Sequence, residues 1–299
     1  MPGVFSNLTV ALDDSPAAVA GVNAALRYAR DDAAIVACSV VDPNPPFPLV
    51  DIPFPPPPPS TAERRKNARL ACAAALRAVR MRGLHGEDAV IEDHPAAGIL
   101  RCAREHHSDA IAIGSHGRAG LMRALLGSVA EEVVRGSDVP VIVAHPGDDE
   151  RVGPVAVAID DSPASDAALT TAIALATPGG HTLVLLHVFG AGDLRRVEDG
   201  LREDVSERFE EARLQAAALL EEAADRCRAA GVTCECVQLE GDPAQEILAA
   251  VARHACSTIV IGTHGASELS RLLFGSVAAT VAERARIPVV LVRHPDQAD

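Results

Sequence analysis

The chain has 299 residues, 48% of them hydrophobic but only 2% aromatic, with no Trp and one Tyr. That length suits two domains of ordinary size with aliphatic cores. A formal charge of −14 argues against a nucleic-acid binder, and seven Cys without a C-x-x-C pair argue against a zinc ribbon or a disulfide framework.

No basic stretch leads into an apolar one at the N-terminus, and no apolar run is long enough to span a bilayer. The expected location is therefore the cytoplasm. The first predicted strand, Leu8 to Leu12, ends at Asp13, Asp14, Ser15 and Pro16. Ser followed by Pro marks a helix start, with Ser at the N-cap and Pro in the first turn, and a helix of roughly 14 residues follows. A second strand covers 34–41. Residues 43–60 are Pro-rich, with an unbroken run from Pro55 to Pro59, and read as an extended loop. An amphipathic helix is predicted over 62–82. Beyond Gly83 the pattern continues with a helix after Pro95, a strand Ala110 to Ile113, a Gly-rich loop, a helix from Ser128 and a very apolar strand, Val139 to Ala144.

The polar stretch Pro146 to Arg151 separates this half from a second that repeats it, giving domains 1–147 and 152–299. Val155 to Ile159 lead into Asp160, Asp161, Ser162 and Pro163. A strand over 182–189, a polar connector over 193–202 and a helix over 201–230 follow. From Gly83 onward the halves align at a constant offset of 148 residues, matching Gly83 with Gly231, Pro95 with Pro243 and Gly114 with Gly262. Ten of the seventeen positions in 114–130 are identical in 262–278. A repeat this long is a duplicated domain. Strands alternating with helices predict α/β halves, each with five parallel strands and four helices. Ligands of such sheets bind beyond the carboxyl ends of the strands, where the strand order reverses.

The repeated loop carries the chemistry. Gly114-Ser-His-Gly117, nine further residues and Gly127-Ser128 recur as Gly262-Thr-His-Gly265 and Gly275-Ser276. Strand, Gly-rich loop and helix start in that order can hold phosphate, because glycines admit close backbone approach and the helix start presents unpaired N–H groups. Ser128 also reads as the N-cap of a capping box with Glu131, worth about 1 kcal/mol. Ser276 recurs without the acid, so capping alone does not explain it. Asp13 and Asp160 suit ribose hydroxyls or a divalent ion, or serve the turn before the helix; spacing does not separate them from Asp14 and Asp161. Arg123 and Arg271 recur in the spacer, either screening phosphate or lying in solvent. The lone lysine, Lys66, rules out a P-loop. No G-x-S-x-G or H-E-x-x-H motif occurs, and no general base is evident beside the loop.

These residues resemble the universal stress protein family, in particular its tandem-domain, ATP-binding branch, over essentially the whole chain except the Pro-rich loop. The resemblance implies an open α/β sandwich like that of the adenine-nucleotide α-hydrolases, with strand order 3-2-1-4-5 and ATP at the switch point. Asp13 would meet ribose or a phosphate-bound metal, and Val40 would line the adenine pocket. Ile113, Gly114, His116 and Gly117 would contact ribose and phosphates, and Gly127, Ser128 and Val129 would cradle the phosphate chain. In the second half the same roles fall to Asp160, Val188, Ile261, Gly262, His264, Gly265, Gly275, Ser276 and Val277. Magnesium accompanying ATP would meet Asp13 and Asp160.

The implied function is a nucleotide-dependent binding module of the stress response rather than an enzyme, acting on an unidentified protein partner. A slow magnesium-dependent ATPase on the same sites is the alternative. The apolar last strands, 139–144 and 287–292, need covering; their pairing with each other is expected, as is a homodimer of the whole chain. Two departures stand out. Asp93 replaces a Gly that Gly241 keeps. Glu268 stands where Gly120 fits the pattern, placing an acid near the phosphates at a cost on the order of 1 kcal/mol and favouring the first site.

Overall fold

The computed structural model describes residues 3–13, 15–44, 59–115, 126–147, 152–190, 204–264 and 274–294. The first half runs β1 (Phe5–Leu12), α1 (Pro16–Tyr28), β2 (Ala29–Val41), α2 (Thr61–Met81), β3 (His85–Glu92), α3 (Pro95–Glu105), β4 (Ala110–Gly114), α4 (Ser128–Gly136) and β5 (Val141–Ala144). The second half repeats it as β6 (Val155–Ala158), α5 (Pro163–Ala176), β7 (Leu183–Gly190), α6 (Asp204–Ala229), β8 (Cys234–Gly241), α7 (Pro243–Arg253), β9 (Thr258–Gly262), α8 (Ser276–Arg284) and β10 (Val289–Val292). The expected five strands and four helices per half are present.

Local chemistry starts the helices where the sequence points. Ser15 Oγ accepts the Ala18 amide at 3.3 Å and Ser162 Oγ accepts that of Ser165 at 3.1 Å. Pro16 and Pro163 follow at a position whose N–H has no intrahelical acceptor. At α2, Ser60 and Glu63 form a reciprocal capping box, and the hydrogen bonds from Ser60 hold the Glu63 carboxyl below its ordinary range. One boundary differs. β2 begins at Ala29, five residues before the expected strand, because Ala29 closes the last turn of α1 through its N–H while its own backbone is already extended (φ −72°, ψ 136°). Helix therefore passes into strand without a loop. The register slips between the Phe5–Ala29 and Asn7–Ala34 pairs. Of the Pro-rich stretch, residues 45–58 lie outside the described residues.

The ten strands form one sheet in the order β3-β2-β1-β4-β5-β10-β9-β6-β7-β8. Read from either outer edge, each half has the order 3-2-1-4-5 and is parallel throughout. The halves join antiparallel, with Val141 opposite Leu291, Ile142 opposite Val290 and Val143 opposite Val289. The two most apolar strands thus cover each other, so neither presents an unpaired edge. The outer edge strands carry Glu87, Asp88 and Glu92 on β3 and Glu235 and Glu240 on β8, charges that discourage edge-to-edge pairing.

Both faces of the sheet are covered, and each core layer runs across the junction. One layer packs α1, α2, α5 and α6 through residues such as Val22, Leu76, Leu169 and Leu220. The other packs α3, α4, α7 and α8 through Ile99, Val133, Ile247 and Val281. With so few aromatics, the layers are built from Ala, Val, Leu and Ile. The buried aromatics among the described residues are Phe5 on β1 and, at the end of α1, Tyr28. Tyr28 is fully buried, and its hydroxyl shares a 2.7 Å hydrogen bond with that of Thr258 on β9 in the other half. Arg293 adds a second link, donating to the Arg135 carbonyl at 3.1 Å.

Candidate functional site

A helix that follows a parallel strand starts at the strand's carboxyl end. The N-termini of α1, α3 and α4, with their positive dipole ends and unpaired amides, therefore gather at one edge of the first half. Those of α5, α7 and α8 gather at the equivalent edge of the second. The strand order reverses between β1 and β4, and between β6 and β9, which is where a crevice opens in such sheets.

Asp13 follows β1 at this crevice, and its Oδ1 accepts the Ser15 amide at 2.9 Å. The turn-forming role weighed for this residue is thus real, and it leaves the second carboxylate oxygen for another partner. Asp160 is held differently. Its amide donates to Ser165 Oγ at 2.9 Å, and its carboxylate accepts the Ser162 hydroxyl. Ser162 Oγ also lies 3.3 Å from the His264 carbonyl, so it ties the β6 end to the repeated loop. The His264 ring shares a 2.9 Å hydrogen bond with Thr263 Oγ1.

The loop is pinched at its base in both halves. Ser115 donates its amide to Ala144 at 2.8 Å and accepts that of Gly127 at 2.8 Å. Thr263 donates to Val292 at 2.9 Å and accepts from Gly275 at 2.8 Å. These bonds fix the starts of α4 and α8 beside the ends of β4 and β9. A Cβ on Gly275 would fall 2.9 Å from the Thr263 oxygen, so the pinch needs glycine there.

Gly114 and Gly262 have a further reason to be glycine. A Cβ on Gly114 would lie 2.4 Å from the Ala17 oxygen, and one on Gly262 would lie 2.8 Å from the Ala164 carbonyl carbon. The first turns of α1 and α5 pack directly on these glycines. Ser128 and Ser276 also differ from one expectation. Gly127 and Gly275 are the N-cap residues, without a side-chain capping bond, and the serines are the first helical residues. Glu131 pairs with Arg135 instead of closing a capping box. Both serine hydroxyls are exposed, and helix capping no longer accounts for their recurrence.

Ile113 and Ile261 are buried, with their side chains in the core, so only their backbone can face the crevice. Val40 and Val188 are half-buried near the ends of β2 and β7, and Val129 and Val277 are half-buried at the helix starts. A Cβ on Gly98 would lie 2.8 Å from each Val40 methyl. The equivalent residue is Glu246, so the two crevices differ beside this valine. His116, Gly117 and Gly265 lie outside the described residues, as do Asp14, Gly120, Arg123, Glu268 and Arg271. His187 has no counterpart among the residues expected from sequence; its Nδ1 lies 2.7 Å from the Ile159 carbonyl just before Asp160. Its signal was a single imidazole within the apolar run from Leu183 to Phe189.

The model of the universal stress protein family matches residues 5–145 and again 152–293. A universal stress protein of Mycobacterium tuberculosis is 35% identical over 193 residues, 63% of this chain and 63% of that protein. The chain thus aligns with less than two thirds of that relative's length. A universal stress protein of Mycolicibacterium smegmatis is 29% identical over 299 residues, 96% of each chain. Among solved structures, a universal stress protein from Archaeoglobus fulgidus superposes with a TM-score of 0.69 over 98% of both chains at 22% identity.

Proposed function

The chain belongs to the universal stress protein family, and from that premise we propose that it is a nucleotide-dependent binding module with one ATP site in each half, residues 1–147 and 152–299. The observation that carries this reading is the pinch found twice, in which a motif glycine amide is held 2.8 Å from the carbonyl at a strand end. It fixes a helix N-terminus beside the point where the strand order reverses. The amides of Ser128, Val129 and Ala130, and those of Ser276, Val277 and Ala278, have no intrahelical acceptor and favour a polyphosphate there.

The chemistry of each crevice fits the parts of ATP in sequence. Val40 or Val188 offers an apolar face to the base. Asp13 or Asp160 stands where ribose hydroxyls or a magnesium ion would meet a carboxylate. The exposed Ser128 and Ser276 hydroxyls can donate to phosphate oxygens, and His116, Gly117, His264 and Gly265 would complete the phosphate loops. The backbone of Ile113, Gly114, Ile261 and Gly262 would form the floor. No group of three metal-ligating side chains is gathered among the described residues, so Asp13 and Asp160 would each contribute one ligand to an ion brought by the nucleotide.

Binding, rather than turnover, is the expected activity. With labelled ATP and magnesium, the chain should retain nucleotide and release no more phosphate than a Gly127→Ala, Gly275→Ala double variant. Sustained turnover well above that control would favour the slow ATPase instead.

A further inference from the structure

Three of the seven cysteines meet where α6 runs into β8. Cys227 lies in the last turn of α6 and is fully buried, Cys234 opens β8 half-buried, and Cys236 is exposed two residues on. All are free thiols. The Cys227 thiol has the Cys234 sulfur as its neighbour, and burial, followed by that sulfur's charge, pushes Cys227 up to about 12. Cys236 turns instead toward the Leu220 carbonyl, at 3.6 Å.

The repeat supplies an independent measure of how Cys227 and Cys234 face each other. Their equivalents are Val79 and Gly86. The strands pair alike, Ile35 with Gly86 and Leu183 with Cys234. The helices end alike, with Leu84 donating to Val79 at 3.1 Å and Val232 donating to Cys227 at 2.9 Å. A Cβ on Gly86 would lie 3.0 Å from Val79 Cγ1. In the first half these two Cβ positions are therefore separated by at most one carbon–carbon bond more than that, and the matching register carries this close approach to Cys227 and Cys234, no farther apart than the roughly 4.5 Å that a disulfide can bridge.

We propose that Cys227 and Cys234 are an oxidisable dithiol that closes to a disulfide in the presence of a hydroperoxide. Exposure divides the roles. Cys234 is half-buried where Cys227 is fully buried, so Cys234 is the sulfur a soluble peroxide reaches and the one that attacks it. The O–O bond breaks, giving a Cys234 sulfenic acid and one molecule of water from hydrogen peroxide. The Cys227 sulfur then attacks the Cys234 sulfur, the S–O bond breaks, and the leaving hydroxide takes the Cys227 proton as a second water. Two thiols lose two electrons in all, and one peroxide is reduced. The bridge ties the end of α6 to the outer edge strand of the second half.

The chain contains its own reference. Cys38 on β2 and Cys102 on α3 are also neighbouring thiols, but both are completely buried and closed to a soluble oxidant. The test treats the native full-length chain with hydrogen peroxide, counts thiols after unfolding, and maps peptides without reduction. Trypsin cuts at Arg228, between the two cysteines, so a bridge appears as two joined peptides, and their fragmentation assigns the sulfurs. Loss of two of the seven thiols, a Cys227–Cys234 link and full recovery with dithiothreitol are expected. In Cys227→Ser, Cys234 should be trapped as a sulfenic acid that reacts with dimedone. Seven thiols remaining, a link through Cys38 and Cys102, or oxidation confined to Cys236 would overturn the proposal. The peptide map of the unmodified chain decides the matter even if a variant fails to fold.

Discussion

Gly114→Ala is expected to destabilise the chain by about 1–3 kcal/mol, the usual cost of forcing an extra carbon into a packed site, and to abolish ATP binding at the first site. The added carbon would meet the Ala17 oxygen at 2.4 Å and the Ala17 Cβ at 2.8 Å. These atoms belong to the first turn of α1 and cannot swing aside as a flexible side chain would. The start of α1 must move, and Asp13 moves with it through its bond to the Ser15 amide. Gly83→Ala provides the contrast. Gly83 has φ +80° with nothing within 4 Å of an added Cβ, so the cost is backbone strain of about 1 kcal/mol. That site lies at the far end of α2, and nucleotide affinity should be unchanged. Urea unfolding and an ATP titration of both variants check this pair of results. Equal affinity in the two would refute the coupling between α1 and the site.

Tyr28→Ala is expected to cost about 3–5 kcal/mol, as large-to-small changes of buried aromatic residues do. It should also weaken the cooperation between the halves. The ring fills the layer shared by α1 and the second half, and its hydroxyl is bonded to Thr258 of β9. Tyr28→Phe isolates the polar contribution. It leaves the fully buried Thr258 hydroxyl without that partner, at a cost of about 1–3 kcal/mol. Urea unfolding followed by two probes, one in each half, should show a single transition for the native chain and two separated transitions for Tyr28→Ala. A single unshifted transition in Tyr28→Ala would mean that the β5–β10 pairing and the remaining contacts across the junction couple the halves without it.

Much of this fold was legible in the sequence because it rests on local signals used twice. Ser15-Pro16 and Ser162-Pro163 begin helices where capping chemistry requires, and the apolar stretches 139–144 and 287–292 meet as two edges that neither half could leave bare. The remainder depended on contacts between distant parts of the chain. Gly114 read as a phosphate-loop glycine, and the pressure of α1 on its α-carbon appears only when β1 and β4 lie side by side. Ser128 read as a helix cap, but the Gly127 amide bond to Ser115 sets the helix start one residue earlier and sends Glu131 to Arg135. Tyr28 read only as the lone tyrosine, and its partner is 230 residues away in the chain. The site was legible as a pattern of glycines around a switch point. The different holds on Asp13 and Asp160 were not, because they depend on where Ser15, Ser162 and Ser165 fall in three dimensions.

The pinned helix starts have a structural explanation in the loop geometry, and a ligand explanation in the exposed serines and unpaired amides they leave at the crevice. Equilibrium dialysis of the full-length chain against labelled ATP and magnesium separates the two most directly. Saturable binding that approaches two nucleotides per chain is expected, falling to one when either Gly127 or Gly275 is replaced by Ala. No saturable binding by a folded chain at millimolar ATP would contradict the ligand explanation.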